Sequence, residues 1–295
     1  MAPVNKCRII YLDIKRVWVA AMWDPGQYLR FGDERGRPFG DLLARVNAEA
    51  PGLVVDLGCG PGNLTAVLAE RWPLAQVLGV DNSPEMIATA KAAAYAAASA
   101  MAGAAGPGRL SFVLADIRDW QPDRPVDVFV SNAVLQWVPD HLGLLTRWAG
   151  LLAPGGWLAV QMPGNFDQPS HAILLDMVGS GQWRPLLGDV SLNRQAEDPA
   201  AYLDLLARAG CRVDAWETTY LHVLQGDDPV LEWYKGTGLR PVLAALPPER
   251  SVEFLAEYAA RAHDAYPPAP YGTVLPFRRV FVVATRCEGL SRRAR

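Results

Sequence analysis

Residues Asp56 to Gly62 read Asp-Leu-Gly-Cys-Gly-Pro-Gly, directly after the apolar run Leu53–Val55 and before a helical pattern from Leu64. A glycine-rich turn between a strand and a helix lets the backbone pass close to a ligand. The dinucleotide pattern G-x-G-x-x-G would need its third glycine at position 63, where this chain has Asn63. Asp56 also sits just before the turn. A pyrophosphate there would meet a like charge, whereas an ammonium group would be attracted. Gly58, Cys59 and Gly60 therefore suit a cationic ligand without phosphate, and Cys59 reads as a small filler.

Other polar residues follow the later strands. Asp81 closes the second strand beside Asn82, and its carboxylate can accept two ribose hydroxyls, the role of an acid at this place in Rossmann-like sites. Asp116 follows the third strand. Its side chain can accept from an adenine amino group while the Ile117 backbone N–H donates to a ring nitrogen. Asn132 and Ala133 end the fourth strand, where ligands of open α/β sheets sit, and they suit an amino-acid portion. S-adenosylmethionine (SAM) meets these demands. It carries an ammonium group, a sulfonium, a ribose and an adenine, and it has no phosphate. NAD is disfavoured by Asp56 and Asn63, but a dehydrogenase or a non-catalytic SAM-binding module stays open at this point. Trp137 is either a ligand wall or a core residue.

These residues need a scaffold, and the chain supplies an alternating one. Strands are predicted at Leu53–Asp56, Ala75–Val80, Leu110–Leu114, Val126–Ser131 and Trp157–Met162, with later strands at Val213–Leu221 and Arg279–Thr285. Between them fall helices at Pro38–Asn47, Leu64–Arg71, Leu142–Leu152 and Pro199–Ala209, with Pro38 placed in a first turn. Ser83-Pro84-Glu85 reads as cap, first-turn proline and first-turn acid of an alanine-rich helix reaching Ala102. The alternation implies an α/β fold with a parallel sheet and right-handed crossovers. The stretch Gln225–Pro276 is too long for a hairpin loop and is expected to form a small helical cap.

Composition sets outer limits. The chain has 295 residues, 51% hydrophobic and 20% charged, enough to bury one enlarged domain. A net charge of −3 argues against a nucleic-acid binder. Four scattered cysteines and four histidines (His141, His171, His222, His263) show no metal spacing. No apolar run is long enough to span a membrane. Cys7–Met22 is interrupted by Arg8, Asp13, Lys15 and Arg16, which makes it a poor signal peptide, so a cytoplasmic protein is expected. Its only lysines are Lys6, Lys15, Lys91 and Lys235. The arginine preference suits carboxylate recognition, and a GC-rich genome gives the same bias.

The motifs D-L-G-C-G-P-G, V-D-N-S (Val80–Ser83), A-D-I (Ala115–Ile117) and L-A-P-G-G (Leu152–Gly156) resemble class I SAM-dependent methyltransferases. More specific segments are similar to the trans-aconitate 2-methyltransferase family: Trp23-Asp24-Pro25, Tyr28-Leu29-Arg30-Phe31, Glu34-Arg35-Gly36-Arg37-Pro38, Leu135-Gln136-Trp137, Gln161-Met162-Pro163, Thr218–His222 and Thr237-Gly238-Leu239-Arg240-Pro241. The resemblance runs from about Trp23 to Arg286.

The resemblance implies a seven-stranded Rossmann-like sheet with a helical cap between the last two strands. Its expected organisation is an N-terminal extension at 1–22, a SAM-binding core at 23–224, a cap at 225–276, and a final strand with tail at 277–295. It also implies methyl transfer from SAM to a carboxylate, leaving a monomethyl ester and S-adenosylhomocysteine. The acceptor carboxylate is ionised at pH 7, so neither a general base nor a metal is expected. Cofactor contacts are expected from Tyr28, Asp56, Gly58, Cys59, Gly60, Asp81, Asn82, Asp116, Ile117, Asn132 and Ala133. A small tricarboxylate partner calls for arginine forks: Arg30, Arg35, Arg37 and Arg240, with Trp137, Tyr220 and His222, and Arg278 and Arg279 behind them. No nucleic-acid or membrane partner is expected, and oligomeric state is left open.

Overall fold

The computed structural model describes residues 32–100, 109–188, 190, 192 and 196–288. The elements, in chain order, are α1 (Gly32–Leu43), β1 (Leu53–Leu57), α2 (Asn63–Arg71), β2 (Gln76–Asp81), α3 (Pro84–Ala100), β3 (Leu110–Leu114), β4 (Val126–Asn132) and a 3-10 turn (Leu135–Trp137). There follow α4 (His141–Leu151), β5 (Leu152–Pro163), α5 (Pro169–Gly179), α6 (Arg184–Leu187), α7 (Pro199–Arg208) and β6 (Cys211–Leu224). The chain then forms α8 (Pro229–Lys235), α9 (Arg240–Ala245), α10 (Pro248–Ala265), β7 (Pro268–Ala269) and β8 (Gly272–Arg286).

The strands form one sheet in the order β3-β2-β1-β4-β5-β8-β6, with the two-residue β7 beside β8. The first five are parallel, and β8 runs antiparallel to both β5 and β6. The central strands are largely apolar, and β1 is buried at all five positions, as a strand covered on both faces must be. One face carries α1 and α2, whose Phe39, Leu42, Leu68 and Trp72 pack on Val54, Val128 and Phe281. The other carries α4 and α7, with Leu145, Trp148, Tyr202 and Leu206 against Phe129, Leu158 and Val282.

The parallel alternation and the cap between the last two long strands match the sequence reading. The boundaries differ in four places, and one is β5, which starts at Leu152 and not at Trp157. Helix α1 begins at Gly32, so Pro38 lies inside it and removes one interior backbone bond. Strands β6 and β8 are longer than their apolar cores suggest. Beyond the Pro163–Arg279 pair, β8 leaves β5 behind and pairs with β6 alone through Thr273–Leu224. This two-stranded arm rises past the carboxyl edge of the sheet.

The cap sits on that arm, and it has two sources. Helices α8–α10 come from the insertion, but α5 and α6 share their core. Leu174, Met177, Trp183 and Leu187 pack with Trp233, Leu239, Phe254 and Tyr258. A buried polar knot fastens the halves. The Ser170 hydroxyl is 2.7 Å from the Tyr234 hydroxyl, the Tyr258 hydroxyl donates to the Ser170 carbonyl at 3.0 Å, and the Ser170 backbone N–H donates to the Tyr266 hydroxyl at 3.0 Å. Asn165 Nδ2 donates to the Tyr234 hydroxyl at 2.9 Å.

Candidate functional site

The turn after β1 is built from backbone. Gly58 and Cys59 N–H groups both donate to the Val80 carbonyl, at 2.8 and 3.1 Å. Gly60 takes φ 54° and Gly62 φ 82°, a region that L side chains rarely adopt. A Cβ on Gly62 would come within 2.8–2.9 Å of Phe112 and Ala90, whereas nothing lies within 4 Å of one on Gly60. Gly62 is thus required by packing, and Gly60 borders open space.

Asp56 and Asp81 face this turn. Asp56 is buried, and its carboxylate accepts from the Thr65 hydroxyl at 2.6 Å. Burial pushes its carboxyl up to about 6; the Thr65 bond lowers it and the Asp81 charge raises it. Asp81 accepts from the Gly60 N–H at 2.9 Å through Oδ2 and from the Ser83 N–H at 2.9 Å through Oδ1. Each oxygen keeps a second lone pair, and two backbone bonds fix their direction. Burial pushes the Cys59 thiol up, the behaviour of a packing residue.

Asp116 is differently placed. It accepts from Arg118 Nε at 3.0 Å and from Arg118 Nη2 at 2.5 Å, while the Arg118 backbone N–H donates at 2.9 Å. The Arg118 side chain and backbone, with a smaller contribution from Asn82, hold the carboxyl down to about 2. The adjoining Ile117 is buried.

The end of β4 is strained. Ala133 has φ 57°, which costs an L residue about 1–2 kcal/mol. Its N–H donates to the Gln161 carbonyl at 2.8 Å, and its carbonyl accepts from Gln136 Nε2 at 2.7 Å. Around it, Asn132 Oδ1, Gln136 Oε1 and Gln161 Nε2 are buried without a hydrogen-bond partner among the described residues. Asn132 and Gln161 are direct partners across β4 and β5. Native proteins rarely leave such atoms unpaired, because each costs roughly 1–3 kcal/mol. Three beside one strained residue single this place out as a candidate ligand site.

Of the expected acceptor residues, Arg37, Tyr220 and His222 come together. The Tyr220 hydroxyl donates to Asp41 at 2.6 Å. Arg37 lies 5.2 Å over the Tyr220 ring and 3.9 Å from Asp41. His222 is buried and stacks on Trp233 of the cap at 4.8 Å. Burial, with the Arg279 and Arg37 charges, pulls its ring down to about 4, so it is neutral at pH 7.

The remaining candidates are scattered. Arg240 opens α9 with an exposed side chain, and Trp137 is 51% exposed at the lip of the β4 turn. Arg278 is engaged by Glu217 and Asp198, each at 2.7 Å. Residues 1–22, Tyr28 and Arg30 lie outside the described residues, as does the Arg35 side chain. The sequence reading cited Gln161 only as part of a motif. Its signal was a polar residue interrupting the apolar end of β5, Leu158-Ala159-Val160-Gln161-Met162.

A glycine turn and a closing acid at the carboxyl edge of this strand order define a class I SAM-dependent methyltransferase. Residues 54–156 match the methyltransferase domain family. Solved structures share the fold. The YcgJ protein of Bacillus subtilis superposes with a TM-score of 0.55 at 15% identity, covering 86% of this chain and 99% of its own. A geranyl diphosphate C-methyltransferase of Streptomyces coelicolor gives 0.52 at 14%, covering 89% and 83%.

The chain belongs to the trans-aconitate 2-methyltransferase family. It is 55% identical to the Streptomyces avermitilis member over 89% of this chain and 96% of that one. It is 50% identical to the Streptomyces coelicolor member over 92% and 88%, and 47% identical to that of Mycobacterium tuberculosis over 89% and 96%.

Proposed function

We propose that this protein transfers the methyl group of SAM to one carboxylate of trans-aconitate, giving a monomethyl ester and S-adenosylhomocysteine. The observation that carries the reading is the cluster of unpaired buried amide atoms at the ends of β4 and β5, beside a preformed glycine turn. Family membership supplies the acceptor.

The residues present fit SAM. Asp56 and the unpaired Asn132 Oδ1 offer acceptors to an ammonium group, and the open side of Gly60 leaves room for the chain that carries it. Asp81 accepts the ribose hydroxyls on its remaining lone pairs, with Asn82 adjoining. The Ile117 N–H donates to the adenine ring. Asp116 accepts the adenine amino group once Arg118, whose side chain is 57% exposed, swings out into water. Ala133, Gly58 and Cys59 supply backbone walls, and Tyr28 stays a candidate on its sequence motif alone.

When bound, SAM supplies an electrophilic methyl group whose carbon–sulfur bond breaks as the carbon–oxygen bond forms, the electron pair passing to sulfur. No proton moves, because the attacking carboxylate is already ionised. The protein's task is alignment, which can supply most of the catalysis. Arg30, Arg35, Arg37 and Arg240, with Trp137, Tyr220 and His222, are the acceptor-side candidates. No helix among the described residues is long and apolar enough to cross a membrane, and we place this work in the cytoplasm.

The test is transfer of isotope-labelled methyl groups to a panel of tricarboxylic acids, read by mass spectrometry with and without EDTA. A monomethyl ester of trans-aconitate, formed equally in both, is expected. Labelling of another acceptor class, or no labelling, would overturn the reading.

A further inference from the structure

Gln161 is 1% exposed, yet its amide nitrogen has no partner among the described residues. Its orientation has a cause. Arg279, on the neighbouring β8, places Nη1 3.4 Å from Gln161 Oε1. A guanidinium has only donors, so the Gln161 oxygen must face it and the NH2 group must turn away. On the other side, Gln161 is paired in register with Asn132, whose side chain also carries an unpaired buried atom. The NH2 donors thus sit beside the end of β4, where the methionine portion of the cofactor is placed.

Strand register separates Gln161 from the other acceptor candidates. Gln161 pairs with Phe281 of β8, while Tyr220 pairs with Phe277 and His222 with Leu275. Six residues of strand, roughly 20 Å, lie between the Gln161 and His222 levels. His222, stacked between Tyr220 and Trp233, joins the arm to the cap, at a different level of the strands from Gln161.

We propose that Gln161 is a specificity-determining residue: its amide N–H groups receive the reacting carboxylate of the acceptor, with Arg279 as the positioning residue that aims them. The proposal rests on the carboxylate-methylation reading above and adds the group that holds the nucleophile. A neutral donor suits that task. A direct ion pair would stabilise the carboxylate charge and lower its nucleophilicity, whereas an amide aligns one oxygen and leaves the other to attack.

The experiment compares wild type with Gln161→Met, which keeps the length and removes the donors, and Gln161→Glu, which keeps the shape and puts an acceptor in their place. Calorimetry gives the trans-aconitate Kd of the protein saturated with S-adenosylhomocysteine, and the S-adenosylhomocysteine Kd alone; steady-state assays give kcat and KM. Gln161→Met should weaken trans-aconitate binding about tenfold and lower kcat/KM at least as much. Gln161→Glu should lose a hundredfold or more. S-adenosylhomocysteine affinity should stay within threefold in both, which a general loss of structure would not allow. Wild-type acceptor binding in Gln161→Glu, or equal losses for acceptor and S-adenosylhomocysteine in both variants, would overturn the assignment. Wild-type protein that methylates no tricarboxylate would instead end the underlying reading.

Discussion

The cofactor edge and the cap differ in how they are built. At the edge, each feature lies within a few residues of a strand end and works through backbone: glycine N–H groups on Val80 and Asp81, and a strained Ala133 held by Gln161. In the cap, the holding groups are side chains from distant segments. Ser170 meets Tyr234, Tyr258 and Tyr266 across separations of 64, 88 and 96 residues. A ligand shared by a whole superfamily can be recognised by a local turn that any core sequence tolerates. A particular acceptor needs side chains placed by tertiary packing, and those fix only when the cap closes its own core.

If the edge is a self-contained cofactor site, its largest vulnerability is Asp81. Asp81→Ala removes the ribose acceptor and also the partner of the Gly60 N–H. A hydrogen bond to a charged group is worth about 1.5–3 kcal/mol, so S-adenosylhomocysteine affinity should fall roughly tenfold or more by calorimetry. Affinity equal to wild type in a folded variant would remove the ribose assignment and blur the contrast between the two regions.

The cap should respond in the opposite currency, stability without cofactor affinity. Ser170 is fully buried, and Ser170→Ala strips the shared hydroxyl from Tyr234 and Tyr266. Each tyrosine keeps one partner, Asn165 for Tyr234 and the backbone N–H of residue 170 for Tyr266, so the loss is that of buried hydrogen bonds, about 1–2 kcal/mol, readable as a lowered denaturation midpoint in urea. S-adenosylhomocysteine binding should change less than threefold. A matching loss of affinity would show that the cap's knot and the cofactor edge act as one unit.

The same contrast explains what could be read from the chain. The glycine turn and the strand-end positions of Asp81, Asp116 and Asn132 were legible because each follows an apolar run that announces a strand. The parallel order followed from the alternation. Gln161 was visible only as a polar interruption in β5, because its meaning depends on Arg279, 118 positions away. The role of α5 and α6 in the cap was hidden for a similar reason: their apolar residues match those of α8–α10 only after the chain has folded back. Pro38 misled because a first-turn proline is the commoner case, and here the helix starts six residues earlier. Arg118 was missed as the partner of Asp116 because a short-range arginine on an exposed loop carries no periodic signal.

The smallest expected effect concerns pH, and it singles out Asp56. With its carboxyl raised to about 6, Asp56 is charged at pH 7 and takes a proton as the medium falls below pH 6. On the proposed placement of SAM, its ammonium group then loses the counter-charge that Asp56 supplies. At saturating acceptor, kcat/KM for SAM reports the enzyme form that SAM meets, the acceptor complex, so it should be flat from pH 8 to about 6.5 and fall several-fold by pH 5. His222 is held down to about 4 and Asp116 to about 2. Stability separates this from unfolding. Asp56 has a folded value above its unfolded one, so its proton uptake favours the folded state as pH falls from about 6 towards 3.8. His222 has a folded value below its unfolded one, so it opposes folding as pH falls from about 6.5 towards 4. Because the two contributions oppose each other, the Tm should change little between pH 6.5 and pH 5 while kcat/KM drops. Asp56→Asn should start lower and lose the step, with the Thr65 hydroxyl turning to accept from the new amide. A step that survives in Asp56→Asn would assign the titration to another group and leave Asp56 as a packing partner of Thr65.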